Sequence, residues 1–425
     1  MPLILPGNVG SATAATGYDV ANSVRFNTNA YMHKTPGSAG TLTTWTLSTW
    51  IKRTKLGSSQ YIFTSRNDGN NSTWAYFDSN DKILFFDTDS NSDQGKLITN
   101  RVFRDVGSWY HLAFIWNTTS GTAGDRIQLW VNGVRETSFS TQTNPDQNDA
   151  STMGDAHIIE IARGGEDENY GYFLMAETVY QNNSAASPVD VFGEFDSDSG
   201  IWKPKDVSGL TFGTNGFYLD FEASGNLGND ASGGTDLTEV NVAATDQSTD
   251  TCTNNFCTCN PLDQTNTGGS SATMAENNLK WTSAGNGTSQ SYMRATFGLT
   301  AGKWYWEAKM SAANSGPGFQ IGVAGTDADM NAGSSGSMND SDPNTQFVNA
   351  ASSASSTRKD GSNVTTSLTT VAEDQIVQIA LDLDNQKFYI GVQGTYLNSA
   401  DPAAGSNAPA TVDANTTYLP AWSDN

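Results

Sequence analysis

Residues 109–133 read WYHLAFIWNTTSGTAGDRIQLWVNG, and this stretch decides the fold. In its first half Tyr110, Leu112, Phe114 and Trp116 share one face, and His111, Ala113 and Ile115 share the other. In its second half Ile127, Leu129 and Val131 stand opposite Gln128 and Trp130. Period-two alternation rich in aromatic and β-branched residues belongs to strands of a layered β fold. Asn132-Gly133 then supplies the positive φ angles of a tight type I′ turn. Leu112, Phe114, Trp116, Leu129 and Val131 are expected between two sheets. Residues 46–53 offer the first of the two strands a partner.

The same pattern runs outward in both directions. Strands are predicted at 23–26, 47–52, 61–64, 74–77, 83–87, 157–161, 171–180 and 216–222, with polar turns between them. Farther on, Trp304, Trp306, Ala308 and Met310 alternate with Tyr305, Glu307 and Lys309, and Val377, Ile379, Leu381 and Leu383 alternate with Gln378, Ala380 and Asp382. No stretch of helical period competes. The class is all-β: two antiparallel β-sandwich domains. Residues 1–17 read as an N-terminal anchoring arm, 18–222 as the first sandwich, 223–262 as an extended connector poor in aromatics, and 263–425 as the second sandwich. Residues 325–356, rich in Ala, Ser, Asn and Gly, read as a long loop.

The 425 residues carry a net charge of −23 although only 16% are charged. Such a surface repels phosphate backbones and anionic lipid, so neither nucleic acid nor a membrane is an expected partner. No apolar run is long enough to cross a bilayer. The start, MPLILPGNVG, lacks a basic n-region, so no secretory signal is expected and folding in a cytoplasm is. Cys252, Cys257 and Cys259 are not spaced as zinc ligands. They are either half-buried thiols or a bridge within or between chains.

The runs WTLSTWIKR, WYHLAFIWN, IQLWVNGV and GYFLMAETVY resemble the laminin-G-like, concanavalin-A-like jelly roll. YLDFEASGNLGNDASG resembles the end of that domain as it occurs in phage structural proteins. GKWYWEAKM, FQIGVAG, IVQIALDLDNQKFYIGVQGTYLN and YLPAWSDN resemble a SPRY domain, and NNFCTCNPLD resembles the connector of phage tail-fibre-like proteins. The resemblance implies a virion structural protein, a fibre or appendage that recognises a host-surface glycan or protein, with other virion proteins and its own copies as partners. A purely structural decoration or connecting piece and a polysaccharide-cleaving appendage are the alternatives. A SPRY domain continues beyond a YLPAWSD-like strand. Alternation predicts a strand at 418–422, and the resemblance implies one more core strand after it, without which the sheet containing Trp304, Trp306, Ile379 and Leu381 would leave an apolar edge open, to be covered by more of this chain or by another.

Calcium-dependent members of the sandwich family draw acidic ligands from two comparable loops. The resemblance thus points to Asp68, in SRNDGNN, and to Glu166, Asp167 and Glu168, in RGGEDENYG, as a calcium site. The opposing reading is solvated turns. Glu166 and Glu168 would also pair like glycosidase carboxylates were they on a strand, but the flanking glycines argue for a loop. None of His33, His111 and His157 has a nucleophile motif beside it, so no catalytic residue is assigned. Pyranose rings stack on exposed aromatics, for which Trp74, Trp130, Tyr170 and Tyr172 are the candidates.

Overall fold

The computed structural model describes residues 17–165, 169–266, 272–282, 291–310, 319–328, 345–350, 355–359, 362–368 and 371–424. These form two compact units that divide between Phe256 and Cys257. Residues 1–16 of the expected arm lie outside the described residues.

The first unit contains β1 (Ser23–Phe26), β2 (Tyr31–Lys34), β3 (Thr44–Arg53), β4 (Gln60–Asp68), β5 (Asn71–Phe77), β6 (Ile83–Asp89) and β7 (Ser92–Thr99). It continues with β8 (Tyr110–Asn117), β9 (Ile127–Val131), β10 (Val134–Arg135), β11 (Phe139–Thr143), β12 (Ile158–Ile161) and β13 (Phe173–Gln181). A short helix, α1 (Pro188–Val191), precedes β14 (Gly193–Phe195), β15 (Trp202–Pro204), β16 (Phe217–Leu219), β17 (Thr238–Val240) and β18 (Gln247–Ser248). The back sheet has the order β10-β9-β8-β3-β13-β1-β18, with β16 also on β13. The front sheet has the order β11-β7-β6-β5-β4-β12-β2-β17. Every pairing is antiparallel.

The quoted stretch forms β8 and β9, with Leu112 opposite Val131, Phe114 opposite Leu129 and Trp116 opposite Ile127. Asn132 and Gly133 have φ of 49° and 73°, as the tight turn into β10 requires. β3 pairs with β8 along its length. Leu112, Phe114, Trp116, Leu129 and Val131 all lie in the inter-sheet core, packed with Trp45, Phe63, Phe77 and Phe85. Gly95 in β7 makes room there: a Cβ at this position would stand 2.9 Å from the Trp116 ring.

The back sheet is buried on its second face too. Val20, Trp50, Trp109, Leu174, Ala176 and Trp202 form one apolar cluster there, and Val179, Phe192, Val207 and Tyr218 form another. Segments around α1, β14 and β15 and the chain from 249 to 256 supply this third layer. His111, Ala113 and Ile115 are therefore as buried as their neighbours on the core face.

The segment expected as a connector is, up to Phe256, part of this unit. β17 pairs with β2 and β18 with β1, and Leu227, Leu237 and Val242 enter the main core. A buried Lys52–Asp250 ion pair (2.8 Å) fastens residues 249–256 to β3. Scarce aromatics hide these roles in the sequence, because single leucines and valines between turns make no periodic pattern.

The second unit contains β19 (Cys259–Asn266), β20 (Thr273–Ala275), β21 (Lys280–Thr282), β22 (Ser291–Ala295), β23 (Lys303–Lys309), β24 (Phe319–Gly325) and β25 (Thr345–Ala350). It continues with β26 (Ser355–Lys359), β27 (Ser362–Leu368), β28 (Ile376–Asp382), β29 (Lys387–Val392), β30 (Thr395–Tyr396), β31 (Ala410–Thr411) and β32 (Tyr418–Asp424). One sheet runs β19-β22-β32-β24-β25-β26-β27 and another runs β23-β28-β29-β30 with β31 on β29. Ile321, Val323, Ile379, Leu381, Phe388 and Tyr418 lie between them, with Trp304, Trp306 and Trp422 packed on. Among the described residues β23, which carries Trp304 and Trp306, pairs with β28 alone and is an edge of its sheet, but the expected strand at 418–422, β32, does not lie beside it. β32 pairs on one side with β22 and on the other with β24, in the sheet that does not contain Trp304. Alternation identifies a strand without saying which sheet it joins. Part of the stretch read as a long loop is likewise paired, since β25 lies between β24 and β26. The three cysteines are not joined in a disulfide; Cys252 and Cys257 are half-buried and Cys259 is buried.

Candidate functional site

Strands of the front sheet alternate between half-exposed outer residues and buried inner ones, as in β5, β6 and β7. Core packing takes Ala75, Phe77, Ile83, Phe85 and Leu97. Strand geometry then turns Trp74, Tyr76, Leu84, Phe86, Lys96 and Ile98 outward.

Cross-strand register lines these residues up. His33, Glu160, Thr64, Trp74, Phe86 and Lys96 are successive partners across β2, β12, β4, β5, β6 and β7. Tyr61, Tyr76, Leu84 and Ile98 form a neighbouring row. Trp74 stacks on Phe86 with centroids 5.4 Å apart, and Tyr61 on Tyr76 at 4.6 Å. Tyr61 and Trp74, 5.4 Å apart, join the two pairs into one patch of four rings. The Lys96 ammonium stands 5.4 Å over the Phe86 ring.

Beside the rings lies a polar cluster. Glu160 is fully buried and accepts from Arg163 at 2.7 Å and from Arg66 Nε at 3.2 Å. Thr64 donates to the Arg163 carbonyl at 2.9 Å. The Arg163 guanidinium covers the Tyr31 ring at 4.6 Å, and Tyr31 neighbours His33 at 5.8 Å and Tyr170 at 6.2 Å. Gly164 packs against Tyr61, where a Cβ would meet the ring at 2.5 Å. The face thus carries rings at both ends with fixed planar donors between them. From Phe86 to His33 is four strand spacings, about 19 Å. Rings stack on the apolar faces of sugars, and guanidinium forks held by a carboxylate donate to oxygens in a set direction.

Two of the four aromatics singled out in the sequence lie on this face. Trp74 sits in the ring patch, and Tyr170 lies at the other end of the face, beside Tyr31. Tyr172 lies apart, its hydroxyl 3.0 Å from Thr28 Oγ1 and its ring 4.1 Å below the Lys55 ammonium. Trp130 is in the other sheet, where its Nε1 donates to Gln128 at 2.9 Å. Tyr61, Tyr76, Phe86, Tyr31, Arg66, Glu160 and Arg163 were not singled out. The run NSTWAYF did hold a signal, since placing Ala75 and Phe77 inside puts Trp74 and Tyr76 outside.

Of the expected calcium ligands, Glu166, Asp167 and Glu168 lie outside the described residues. Asp68 is exposed and serves its own turn: Oδ1 accepts from the Asn70 N–H at 2.8 Å, the Asn71 N–H at 3.0 Å and Asn71 Nδ2 at 2.9 Å. The Asn70 N–H above all, with the Asn71 donors, holds its carboxyl below the usual range. Among the described residues no group of three or more His, Cys, Asp or Glu side chains is placed to hold a metal.

Several groups with catalytic chemistry lie inside the unit. His111 Nε2 is 2.8 Å from Ser48 Oγ across β3 and β8. Among the described residues its Nδ1 has no partner, so no acid among them orients the pair. Burial pushes the imidazole down to about 3, which keeps it neutral. Burial likewise pushes Asp87 and Glu177 up to about 7. Asp87 bonds Thr73 at 2.5 Å and Ser151 at 2.9 Å, and Glu177 bonds Tyr218 at 2.9 Å and Tyr18 at 3.2 Å. None of these groups is on the open face.

Residues 26–171 match the family model described as the concanavalin A-like lectin/glucanases superfamily, of laminin G type. No curated protein matches the chain. Among solved structures it is similar to a SAP-like pentraxin from Limulus polyphemus, at 15% identity and a TM-score of 0.32, over 46% of this chain and 90% of that one. Domains LG4-5 of the mouse laminin α1 chain match at 9% identity and a TM-score of 0.33, over 96% and 83%. The SPRY domain of human HERC1 matches at 18% identity and a TM-score of 0.24, over 32% and 74%. The first unit is a β-sandwich of the concanavalin A-like, laminin-G-type jelly-roll fold.

Proposed function

We propose that this protein is a non-enzymatic phage virion protein, a fibre or appendage, whose first unit binds a host-surface glycan on the outer face of its front sheet. The observation that carries the glycan reading is the row that places Trp74 and Phe86, stacked, in line with Thr64, Glu160 and His33. A chain of sugars laid across the strands would stack on the rings and reach the Arg66 and Arg163 guanidiniums with its hydroxyls. The virion assignment rests on the module order that resembles tail-fibre-like proteins.

A glycan array probed with the full chain tests the reading. Binding by the wild type, weakened at least tenfold in Trp74→Ala (about 1.4 kcal/mol), is the expected result. Binding that Trp74→Ala leaves unchanged would move the site elsewhere. No binding to any glycan would favour a purely structural decoration or connecting role. Reducing ends released from a bound polysaccharide would make the protein a depolymerase.

A further inference from the structure

Lys52 points from β3 into the outer layer of the back sheet, where Leu174 is its neighbour in register. Its side chain is 1% exposed. Nζ is 2.8 Å from Asp250 Oδ2, 2.8 Å from Asn255 Oδ1 and 2.8 Å from the Phe256 carbonyl oxygen. The other Asp250 oxygen accepts from Trp109 Nε1 at 3.1 Å and from the Phe256 N–H at 3.1 Å. Asn255 Nδ2 donates to the Gly107 carbonyl at 2.7 Å, which fixes the plane of the amide. Val20, Trp50, Trp109 and Leu174 form the apolar layer in which this happens. A buried carboxylate and a half-buried carboxamide are thus both held within reach of one buried amine. An ion pair alone needs only the amine and the carboxylate.

We propose that Lys52 and Asn255 become joined by an intramolecular isopeptide bond, with Asp250 moving the protons. The Lys52 ammonium gives a proton to the Asp250 carboxylate, which replaces two buried charges by two neutral groups. The free amine attacks Asn255 Cγ, one bond beyond the oxygen it already touches. The Asp250 carboxyl donates a hydrogen bond to the oxygen on which charge develops. It then relays the second Lys52 proton to Nδ2, which leaves as ammonia. The Nζ–Cγ bond forms, the Cγ–Nδ2 bond breaks, and nothing is oxidised or reduced. Asp250 ends protonated beside an uncharged amide. Held geometry takes the place of an enzyme or a cofactor.

The bond would tie the end of the first unit to one of its central strands. A pull on the chain at Phe256 would then pass into β3 rather than peel residues 249–256 away. This inference is independent of the glycan reading.

Intact-mass spectrometry of the denatured full chain is the test. The expected mass is one ammonia below that of the sequence, with a tryptic fragment that joins the peptides containing Lys52 and Asn255. Lys52→Ala, Asn255→Ala and Asp250→Ala are each expected to restore the full mass. The wild-type measurement decides even if a variant fails to fold. Full sequence mass in the folded wild type overturns the proposal. So does loss of ammonia without a joined fragment, or loss of one water with Lys52 joined to Asp250. A bond that still forms in Asp250→Asn overturns the proton-carrying role.

Discussion

In the back sheet of the first unit β13 is buried at every residue, whereas in the front sheet β6 alternates between buried and half-exposed. Both strands are rich in aromatic and aliphatic side chains. What separates them is the number of layers around them. The back sheet lies between the main core and a third layer built by chain segments after β13. That layer forces polar groups into pairs: Ser48 with His111, Lys52 with Asp250, Glu177 with Tyr218. The front sheet keeps one face open and carries its rings there. Aromatic content therefore does not separate core from surface in this unit, and layer count does.

The comparison breaks most plainly if the two sheets respond alike to loss of a ring. Phe114 is fully buried and packs edge-on to Phe63 at 5.3 Å and Phe85 at 5.4 Å. Phe114→Ala is expected to destabilise the first unit by about 3–5 kcal/mol, from lost transfer energy and a cavity. Chemical denaturation of the full chain, read at the transition of that unit, measures it.

The third layer should also be visible as a pH dependence. Glu177 rises from its ordinary 4.5 to about 7, because burial disfavours its charge more than the Tyr218 and Tyr18 hydroxyls favour it. Its folded value exceeds the unfolded one, so the folded state binds the extra proton between pH 4.5 and 7. Stability falls as the pH rises through that window, by up to about 3 kcal/mol. Glu177→Gln holds the neutral form, so it is expected to match the wild type at pH 4.5 and to be more stable by a similar amount at pH 8. Asp87 is pushed up to about 7 as well and adds a slope of the same sign. A wild-type profile that rises over this window would remove the claim that the layer keeps water from Glu177.

Much of the architecture was legible in the sequence because period two survives wherever strands are apolar. β1 and β9 coincide with the runs read at 23–26 and 127–131. β7 was hidden because SDQG opens it like a turn, and β17 and β18 because two or three residues make no period. The open face was half legible. Alternation puts Trp74 outside, but its alignment with Phe86, Thr64 and Glu160 depends on register between strands, which depends on turns and bulges such as the shift between Tyr61 and Phe63. Lys52, Asp250 and Asn255 meet only through tertiary packing, and no spacing in the chain announces it.

A smaller effect is expected on the open face. Trp74 is half-buried, so Trp74→Ala should cost about 1 kcal/mol of stability, against several for Phe114→Ala. Its glycan binding should fall at least tenfold. A stability loss equal to that of Phe114→Ala would mean that the front face is a second core and not a surface for a ligand.

The smallest effect belongs to the turn that leads into the ring-bearing strand. Asp68 is exposed, and its carboxylate gathers the N–H groups of Asn70 and Asn71. Asp68→Ala removes a local acceptor from a position that water already reaches, so global stability should not move. Hydrogen exchange at the Asn70 and Asn71 amides should quicken, because only the carboxylate among their described side-chain partners protects them. A calcium titration of the same pair of proteins separates the two roles weighed for this residue. With Asp68 as a turn residue alone, wild type and variant give the same heat. A calcium heat present in the wild type and lost in Asp68→Ala would make the carboxylate a ligand. The tip of the front sheet would then carry a metal beside the proposed glycan face.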